Sequence, residues 1–149
     1  MIKIVAFKDK YLDHAASLFS RVYSDEEGVY DPKMARKRIE DDLKTGLDYS
    51  FVALVNNLPA GEIITKVVWA DKGWNLWVDT LQVEPGYQKQ GLARRLLKTA
   101  IDKARAAGAV GVDMQVDIKK PFPGNWYEKI GFEKTDWVAY YAKINSVIF

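Results

Sequence analysis

Residues 79–97 constrain the fold of this 149-residue chain more than any other stretch. They read DTLQVEPGYQKQGLARRLL, which predicts an apolar strand, a short Pro-Gly turn, a glycine-containing loop and an amphipathic helix. The helix begins without a Ser, Thr, Asp or Asn cap, so its first N–H groups lack the usual side-chain partners. Gly91 has no side chain and therefore lets a ligand or another backbone segment come close.

The loop of residues 88–93 allows two interpretations. A helix N-terminus with free N–H groups is a ready anion site, which predicts a phosphate-bearing ligand. Basic residues gather around this loop and its helix and agree with that interpretation: Lys89, Arg94, Arg95, Lys98, Lys103 and Arg105. The alternative is an ordinary strand-loop-helix connection whose first turn is solvated.

Composition excludes several classes of protein. The chain has no cysteine, which excludes a disulfide framework and a Cys nucleophile, and its single histidine excludes a multi-His metal site. The formal net charge of +2 is too small to indicate a nucleic acid partner. No apolar run approaches the roughly 20 residues that span a bilayer, and no signal peptide opens the chain. We therefore expect a cytoplasmic protein with no membrane partner and no metal.

Hydrophobic periodicity predicts one α+β domain over residues 1–149. A strand over 2–7 and a helix over 10–23 come first, followed by a helix with Asp31 as its N-cap. Strands over 50–55, 60–69 and 74–83 form an antiparallel meander, and a strand over 110–116 follows the central helix through a parallel crossover. A short helix over 125–130 precedes two further strands, one starting at Phe132 and one over 138–148. The apolar segment 139–149 predicts pairing in a homodimer.

Three motifs resemble those of the GNAT N-acetyltransferase superfamily. They are Leu81-Gln82-Val83-Glu84-Pro85, the loop QKQGLA of residues 88–93, which fits Q/R-x-x-G-x-G/A, and WYEKIGF of residues 126–132. The loop motif alone is weak, but the second and third motifs at this spacing are specific together. The resemblance implies a GNAT-like fold, in which a mixed, mostly antiparallel sheet is splayed between its fourth and fifth strands and flanked by helices.

The resemblance implies acetyl-CoA as the cofactor. The main chain of Leu81 and Val83 would receive the pantetheine arm, opposite the strand over 110–116. Many family members carry an Asn seven residues before the motif tyrosine, where this chain has Lys120, so a cofactor contact is assigned to Asn125 instead. The pyrophosphate would bind the amides of the loop and one flanking side chain: Gln88, Lys89, Gln90, Gly91, Leu92, Ala93 and Arg94.

The implied reaction is direct attack of a primary amine on the thioester in a ternary complex. Tyr127 matches the family's tyrosine acid, which donates a proton to the departing sulfur, and the N–H of Leu81 or Val83 would hold the oxyanion. Asp79 is the candidate base, although a water relay would make a dedicated base unnecessary. We expect Glu84 to point to solvent. We also expect His14 to be exposed or packed at an edge, because its sequence neighbours supply no partner.

The acceptor is a small-molecule or peptide amine in this interpretation. Its site would lie at the hairpin that the strands over 60–69 and 74–83 form. It would combine Trp69, Trp74 and Trp77 of that hairpin with Tyr30 and the acidic loop of residues 25–27. The competing interpretation is that these aromatics pack and that the loop is solvated. Two other functions stay open: a non-catalytic CoA- or acyl-CoA-binding sensor or interaction module, and an interaction domain that keeps the fold without a cofactor.

Overall fold

A mixed sheet of five strands organises the first part of the computed structural model, which describes residues 1–148. The strands lie side by side in chain order, with β1 to β4 antiparallel and β5 parallel to β4. This arrangement confirms the predicted meander, the crossover and the mixed α+β class. The strands are β1 (Ile2–Ala6), β2 (Phe51–Val55), β3 (Leu58–Ala70), β4 (Gly73–Val83) and β5 (Gly111–Met114).

Three helices cover the two faces of this sheet: α1 (Leu12–Tyr23), α2 (Pro32–Gly46) and α3 (Leu92–Ala106). Asp31 caps α2 as predicted, because its carboxylate accepts a hydrogen bond from the N–H of Lys33 at 2.8 Å. Ile63 and Ile64 are both fully buried, and neighbours in a strand point to opposite faces. Ile64 packs in one cluster with residues of α1 and α2, so α3 covers the Ile63 face.

A β-bulge interrupts the pairing of β3 with β4. Ile64 pairs with Thr80 and Thr65 pairs with Val78, so Asp79 is one extra residue on β4. On the β3 side, the N–H of Thr65 donates to Ser50 Oγ at 2.9 Å, and that hydroxyl donates to the carbonyl of Gly46 at 2.8 Å. These hydrogen bonds fix β3 to the end of α2 at the level of the bulge.

The chain divides into two compact units, Met1–Gln115 and a second unit from Val116 on. The second unit contains α4 (Gly124–Lys129), which ends two residues before Gly131, where the backbone takes a φ of +109°. The prediction of a short helix here is confirmed. That the whole chain is one folding domain stays a prediction.

The two strands predicted after Phe132 are wrong. Up to Ile148 this segment forms no strand, and its regular structure is a 3₁₀ turn at Ile144–Ser146. Trp137 is 91% exposed and Tyr140 is 96% exposed, so the apolar side chains that suggested a strand do not pack. A strand needs a partner for its backbone groups, and an apolar composition alone does not supply one. The dimer assigned to residues 139–149 stays a prediction, and its last residue lies outside the described part of the chain.

Candidate functional site

The bulge at Asp79 divides β4 into two halves that have different neighbours. Four residue pairs join the first half to β5, from Asn75 with Gly111 to Val78 with Met114. Within residues 1–148, no residue of β4 beyond Val78 pairs with β5. The ladder therefore ends where the extra residue enters, and this is the separation of the fourth and fifth strands that the resemblance implies.

The second half of β4 presents the backbone of Leu81 and Val83 at the opened edge. The N–H of Glu84 donates to the carbonyl of Ala60 at 2.8 Å, so the backbone groups of alternate residues in this half face β3. Those of Leu81 and Val83 must then face away from β3. Gln88 Nε2 reaches the carbonyl of Val83 from that side at 3.2 Å. An amide-bearing ligand at this edge would complete the hydrogen bonds that a strand normally makes.

The loop after β4 leads into α3 through two residues with left-handed backbone. After a 3₁₀ turn at Pro85–Tyr87, Lys89 has a φ of +62° and Gly91, the N-cap of α3, has a φ of +82°. No side chain caps this helix, as predicted. A Cβ built on Gly91 would meet no atom within 4 Å, so the space beside the loop is open.

The amide N–H groups of residues 89–94 all lack an acceptor among the described residues. Successive N–H groups in such a turn form a concave anion-binding nest, and the dipole of the 15-residue helix α3 adds positive potential. The geometry can therefore hold a phosphate. The individual cofactor roles assigned to residues 88–94 stay predictions.

Asp79, the expected base, lies in a two-pronged ion pair with Arg38. The guanidinium donates from Nε at 2.7 Å and from Nη2 at 2.8 Å, and the Asp79 side chain is only 10% exposed. Burial alone would raise the pKa of Asp79, but the hydrogen bonds from Arg38 and Asp42 outweigh it and lower the pKa to about 2. The carboxylate is therefore ionised and, taken alone, a weak base at neutral pH. Its catalytic role stays a prediction.

Asp42 is a buried acid that the sequence interpretation missed. It is 4% exposed, and burial together with its hydrogen bond to Asp79 raises its pKa to about 8. A signal was available in the sequence, because the buried residues of α2 recur at helical spacing and Asp42 takes a position suited to an apolar side chain. These residues are Ala35, Ile39, Asp42 and Gly46.

His14 has two carboxylate partners, so the expectation that it has none is wrong. Its Nδ1 contacts Glu62, which is fully buried, and its Nε2 lies 3.0 Å from Glu84. Glu84 also accepts two hydrogen bonds from Arg21, at 2.9 and 2.7 Å. The expectation that Glu84 points to solvent is therefore wrong. The hydrogen bond to Glu62 raises the pKa of His14 against the opposing effect of burial. The partners are 48 and 70 residues away, beyond the reach of sequence spacing.

The tryptophans of the hairpin do not share one face, which corrects the expected aromatic pocket. Trp77 pairs with Lys66, whose ammonium lies 5.7 Å from the indole ring, on the face of α1 and α2. Trp69 pairs with Trp74 on the opposite face, because Trp69 lies three residues from Lys66 and Trp74 lies three residues from Trp77. Trp69 is 76% exposed.

The aromatic residues near Arg38 do surround a cation, but it belongs to the protein. The guanidinium lies 5.4 Å from the ring centre of Phe19, and that ring also contacts Tyr23 and Tyr30 at 4.4 and 4.9 Å. In the acidic loop, Asp25 accepts hydrogen bonds from two N–H groups of its own turn. That carboxylate has a local structural role.

In the second unit, Tyr127 is 9% exposed and packs against two other aromatic residues. Its ring centre lies 5.0 Å from that of Trp126 and 5.5 Å from that of Phe132. Asn125 is exposed on the first turn of α4. The roles expected for Tyr127 as an acid and for Asn125 as a cofactor contact stay predictions.

Neither a metal centre nor a membrane span emerges from residues 1–148. No group of three His, Asp or Glu side chains in this range is arranged to hold a metal ion. No helix in the same range combines the length and the apolar character needed to cross a bilayer.

Comparison with known proteins adds a family match. The model of the "Acetyltransferase (GNAT) family" matches residues 12–132, which include both the loop and the WYEKIGF motif. N-alpha-acetyltransferase 30 of Schizosaccharomyces pombe is 25% identical over 134 residues, which cover 89% of this chain and 84% of that protein.

Solved structures share the fold at low sequence identity. Aminoglycoside N-acetyltransferase AAC(6')-Iy in complex with CoA superposes with a TM-score of 0.77 at 16% identity, covering 97% of this chain and 95% of that one. Naa50 of Arabidopsis thaliana, in complex with the bisubstrate analogue CoA-Ac-MVNAL, gives a TM-score of 0.73 at 20% identity, covering 91% and 85%. These two likenesses establish the fold alone.

Proposed function

Because the chain belongs to the acetyltransferase (GNAT) family, we propose that it transfers the acetyl group of acetyl-CoA to a primary amine. The observation that carries this proposal is the continuous path along β4. The strand opens from β5 after Val78, exposes the backbone edge of Leu81 and Val83, and runs into the unpaired N–H groups that precede α3. An elongated ligand with an amide-bearing arm and a pyrophosphate complements both parts of this path.

The backbone of the opened edge binds and polarises the cofactor in this proposal. Leu81 and Val83 hydrogen-bond the pantetheine arm, and one of their N–H groups stabilises the oxyanion of the thioester. The amides of residues 88–93, with Arg94, hold the pyrophosphate, and Asn125 contributes a further contact. The cofactor is thereby positioned with its acetyl end toward the bulge at Asp79.

The acetyl group moves by direct attack within a ternary complex. The amine nitrogen forms a bond to the carbonyl carbon, and the carbon–sulfur bond breaks with its electron pair passing to sulfur. Tyr127 donates its hydroxyl proton to the departing thiolate, and a proton released by the attacking nitrogen restores the Tyr127 hydroxyl. The acceptor is a small-molecule or peptide amine, the two classes that the related structures with an aminoglycoside acetyltransferase and a peptide analogue support.

Cofactor binding is tested by replacing Gly91 with Val. At a φ of +82° a β-branched residue is strained, and its side chain would occupy the open space beside the N–H groups. We expect acetyl-CoA affinity, measured by isothermal titration calorimetry, to fall at least about 100-fold while the circular dichroism spectrum is unchanged. Gly86→Val is the matched control, because a Cβ there also meets nothing within 4 Å, and it should bind as wild type. Wild-type affinity in Gly91→Val would refute the proposed nest.

Transfer itself is tested by release of free thiol from acetyl-CoA across a panel of primary amines. We expect amine-dependent release in the wild type, whereas a sensor module would bind acetyl-CoA and release none. Tyr127→Phe should lower turnover by about 10²–10⁴-fold, the usual size of acid catalysis, with unchanged acetyl-CoA affinity. Equal turnover in Tyr127→Phe and wild type would remove this hydroxyl from the mechanism.

A further inference from the structure

Two carboxyl groups, those of Asp42 and Asp79, are neighbours at the bulge of β4, because both interact with Arg38, which lies one helical turn before Asp42 on α2. Asp79 is the inserted residue of the bulge, and Asp42 reaches it from the last part of α2. A hydrogen bond between two carboxyl groups requires a proton on one of them. Arg38 binds both oxygens of Asp79, so Asp79 stays ionised and the proton belongs to Asp42.

The charged and titratable groups around this pair come from four parts of the chain. Arg38 lies on the same helix as Asp42, and Lys66 faces the pair from β3. Tyr23 faces Asp79 and Arg38 from α1, and Tyr30 hydrogen-bonds Arg38 from the loop before α2. With Asp42 protonated, the two cations outnumber the single carboxylate, so the surroundings also favour ionisation of Asp42. Burial opposes that ionisation and is the larger effect.

Two buried oxygens beside the pair have no partner among the described residues. They are Asp42 Oδ2 and Thr80 Oγ1, in residues that are 4% and 1% exposed. Thr80 follows Asp79 directly, and its pairing with Ile64 turns its side chain to the face that α1 and α2 cover. A buried polar atom without a partner is costly, so these two oxygens on the same face of the sheet can each accept a further polar partner.

We propose that Asp42 and Asp79 act as one proton acceptor for the acceptor amine, with Asp79 in contact with the amine and Asp42 holding the proton. This inference rests on the proposed acetyl transfer. Asp79 precedes Leu81 by two residues, which puts the pair beside the backbone edge assigned to the thioester. Asp42 is a positioning residue here, because it acts through Asp79.

The proton balance of the step is simple. The pair starts without its shared proton, as two carboxylates beside Arg38 and Lys66. The ammonium N–H bond breaks, its electron pair stays on nitrogen to attack the carbonyl carbon, and the proton binds the pair. As the amide forms, the nitrogen loses a second proton, which restores the Tyr127 hydroxyl. After the amide leaves, the proton on the pair passes to water. The pKa of Asp42, about 8, matches this task, because a base works best when its pKa lies near the working pH.

The pH dependence of kcat/KM for wild type and Asp42→Asn tests the role, using the most active panel amine with a pKa above ~10, like that of a lysine side chain. We expect an inflection near pH 8 in the wild type only. Asp42→Asn should lose that inflection and lose roughly 100-fold in kcat/KM at pH 8, within the usual range for a base. Asp41→Asn is the matched control on the exposed side of the same helix and should keep the wild-type profile. An inflection that persists in Asp42→Asn overturns the proposal.

Carbon-13 NMR titration of the aspartate carboxyl groups needs no turnover and separates this inference from the proposed function. We expect one signal that titrates near pH 8 in the wild type and is missing in Asp42→Asn. If no aspartate titrates above about pH 6, the shared proton does not exist and the inference fails even when transfer is observed. If the signal is present but no amine is acetylated, acetyl transfer fails, and the pair loses its role as proton acceptor.

Discussion

Replacing Gly46 with Ala should destabilise the protein more than an ordinary surface substitution. A Cβ on Gly46 would lie 1.7 Å from the carbonyl oxygen and 2.2 Å from the carbonyl carbon of Thr65, whereas ordinary contact begins at 3.4 Å. The obstacle is backbone, so no side-chain rotation relieves it. The end of α2 and the middle of β3 must therefore move apart by roughly 2 Å to reach van der Waals separation.

That movement would break the hydrogen bonds that join the two elements. Ser50 Oγ and Thr65 Oγ1 both donate to the Gly46 carbonyl, at 2.8 and 3.2 Å. Losing two buried hydrogen bonds at about 1 kcal/mol each, with an overpacking cost of about 1–3 kcal/mol, predicts a total of about 3–5 kcal/mol. With an unfolding entropy of about 0.3 kcal/mol/K for this length, the Tm should fall by about 10–15 °C.

Urea unfolding followed by tryptophan fluorescence measures this effect, with the m-value checking that both proteins unfold alike. Gly86→Ala is the control, because its Cβ would meet nothing within 4 Å, and it should stay within about 0.5 kcal/mol of wild type. A Gly46→Ala midpoint equal to that of Gly86→Ala would refute the close approach of α2 to β3. Since the same hydrogen bonds lie beside the bulge, Gly46→Ala should also lower acetyl-CoA affinity.

Two further predictions concern the response of stability to pH. Folding raises the pKa of Asp42 to about 8, so between about pH 4 and 8 the folded state holds a proton that the unfolded state releases. Relative to Asp42→Asn, the wild type should therefore lose stability on the order of 1 kcal/mol per pH unit as the pH rises in urea titrations, and parallel curves would contradict this. Folding also raises the pKa of His14 through Glu62, so its stabilising contribution is complete below pH 6.5 and is lost as pH rises through the folded-state pKa. The difference between wild type and His14→Gln should shrink accordingly, and proton NMR of this single imidazole should titrate above 6.5.

The sequence predicted the parts of the fold that local patterns determine. Strand alternation, the Asp31 cap and the uncapped start of α3 are properties of neighbouring residues, and each matches the structure. The strand over 138–148 failed because the apolar residues there have no neighbouring strand as a partner for their backbone. Likewise, three tryptophans in one hairpin suggested a common pocket, but their odd spacing places them on both faces of the sheet.

The polar contacts of the site depend on distant residues and could not be predicted in this way. His14 meets Glu62 and Glu84, and Asp79 meets Arg38, which is 41 residues away. What the sequence does show is an acidic residue at a position where the hydrophobic pattern calls for an apolar one. Asp42 on the apolar stripe of α2 and Glu62 within the buried run of β3 are both such cases, and both are part of polar clusters in the structure.

The bulge at Asp79 makes the number of residues in β4, rather than their chemistry, the feature that opens the ligand edge. One inserted residue changes the phase of the strand, so its first half directs alternate amides to β5 and its second half directs Leu81 and Val83 into the gap. Substitutions at Asp79 leave that count unchanged and would report only on its carboxylate. Deleting Asp79 would remove the bulge, leave the amides of Leu81 and Val83 facing away from β3 in regular alternation with Val78, and let the ladder with β5 continue along them. A scan of deletions along β4 would therefore reveal a requirement that no scan of substitutions can detect.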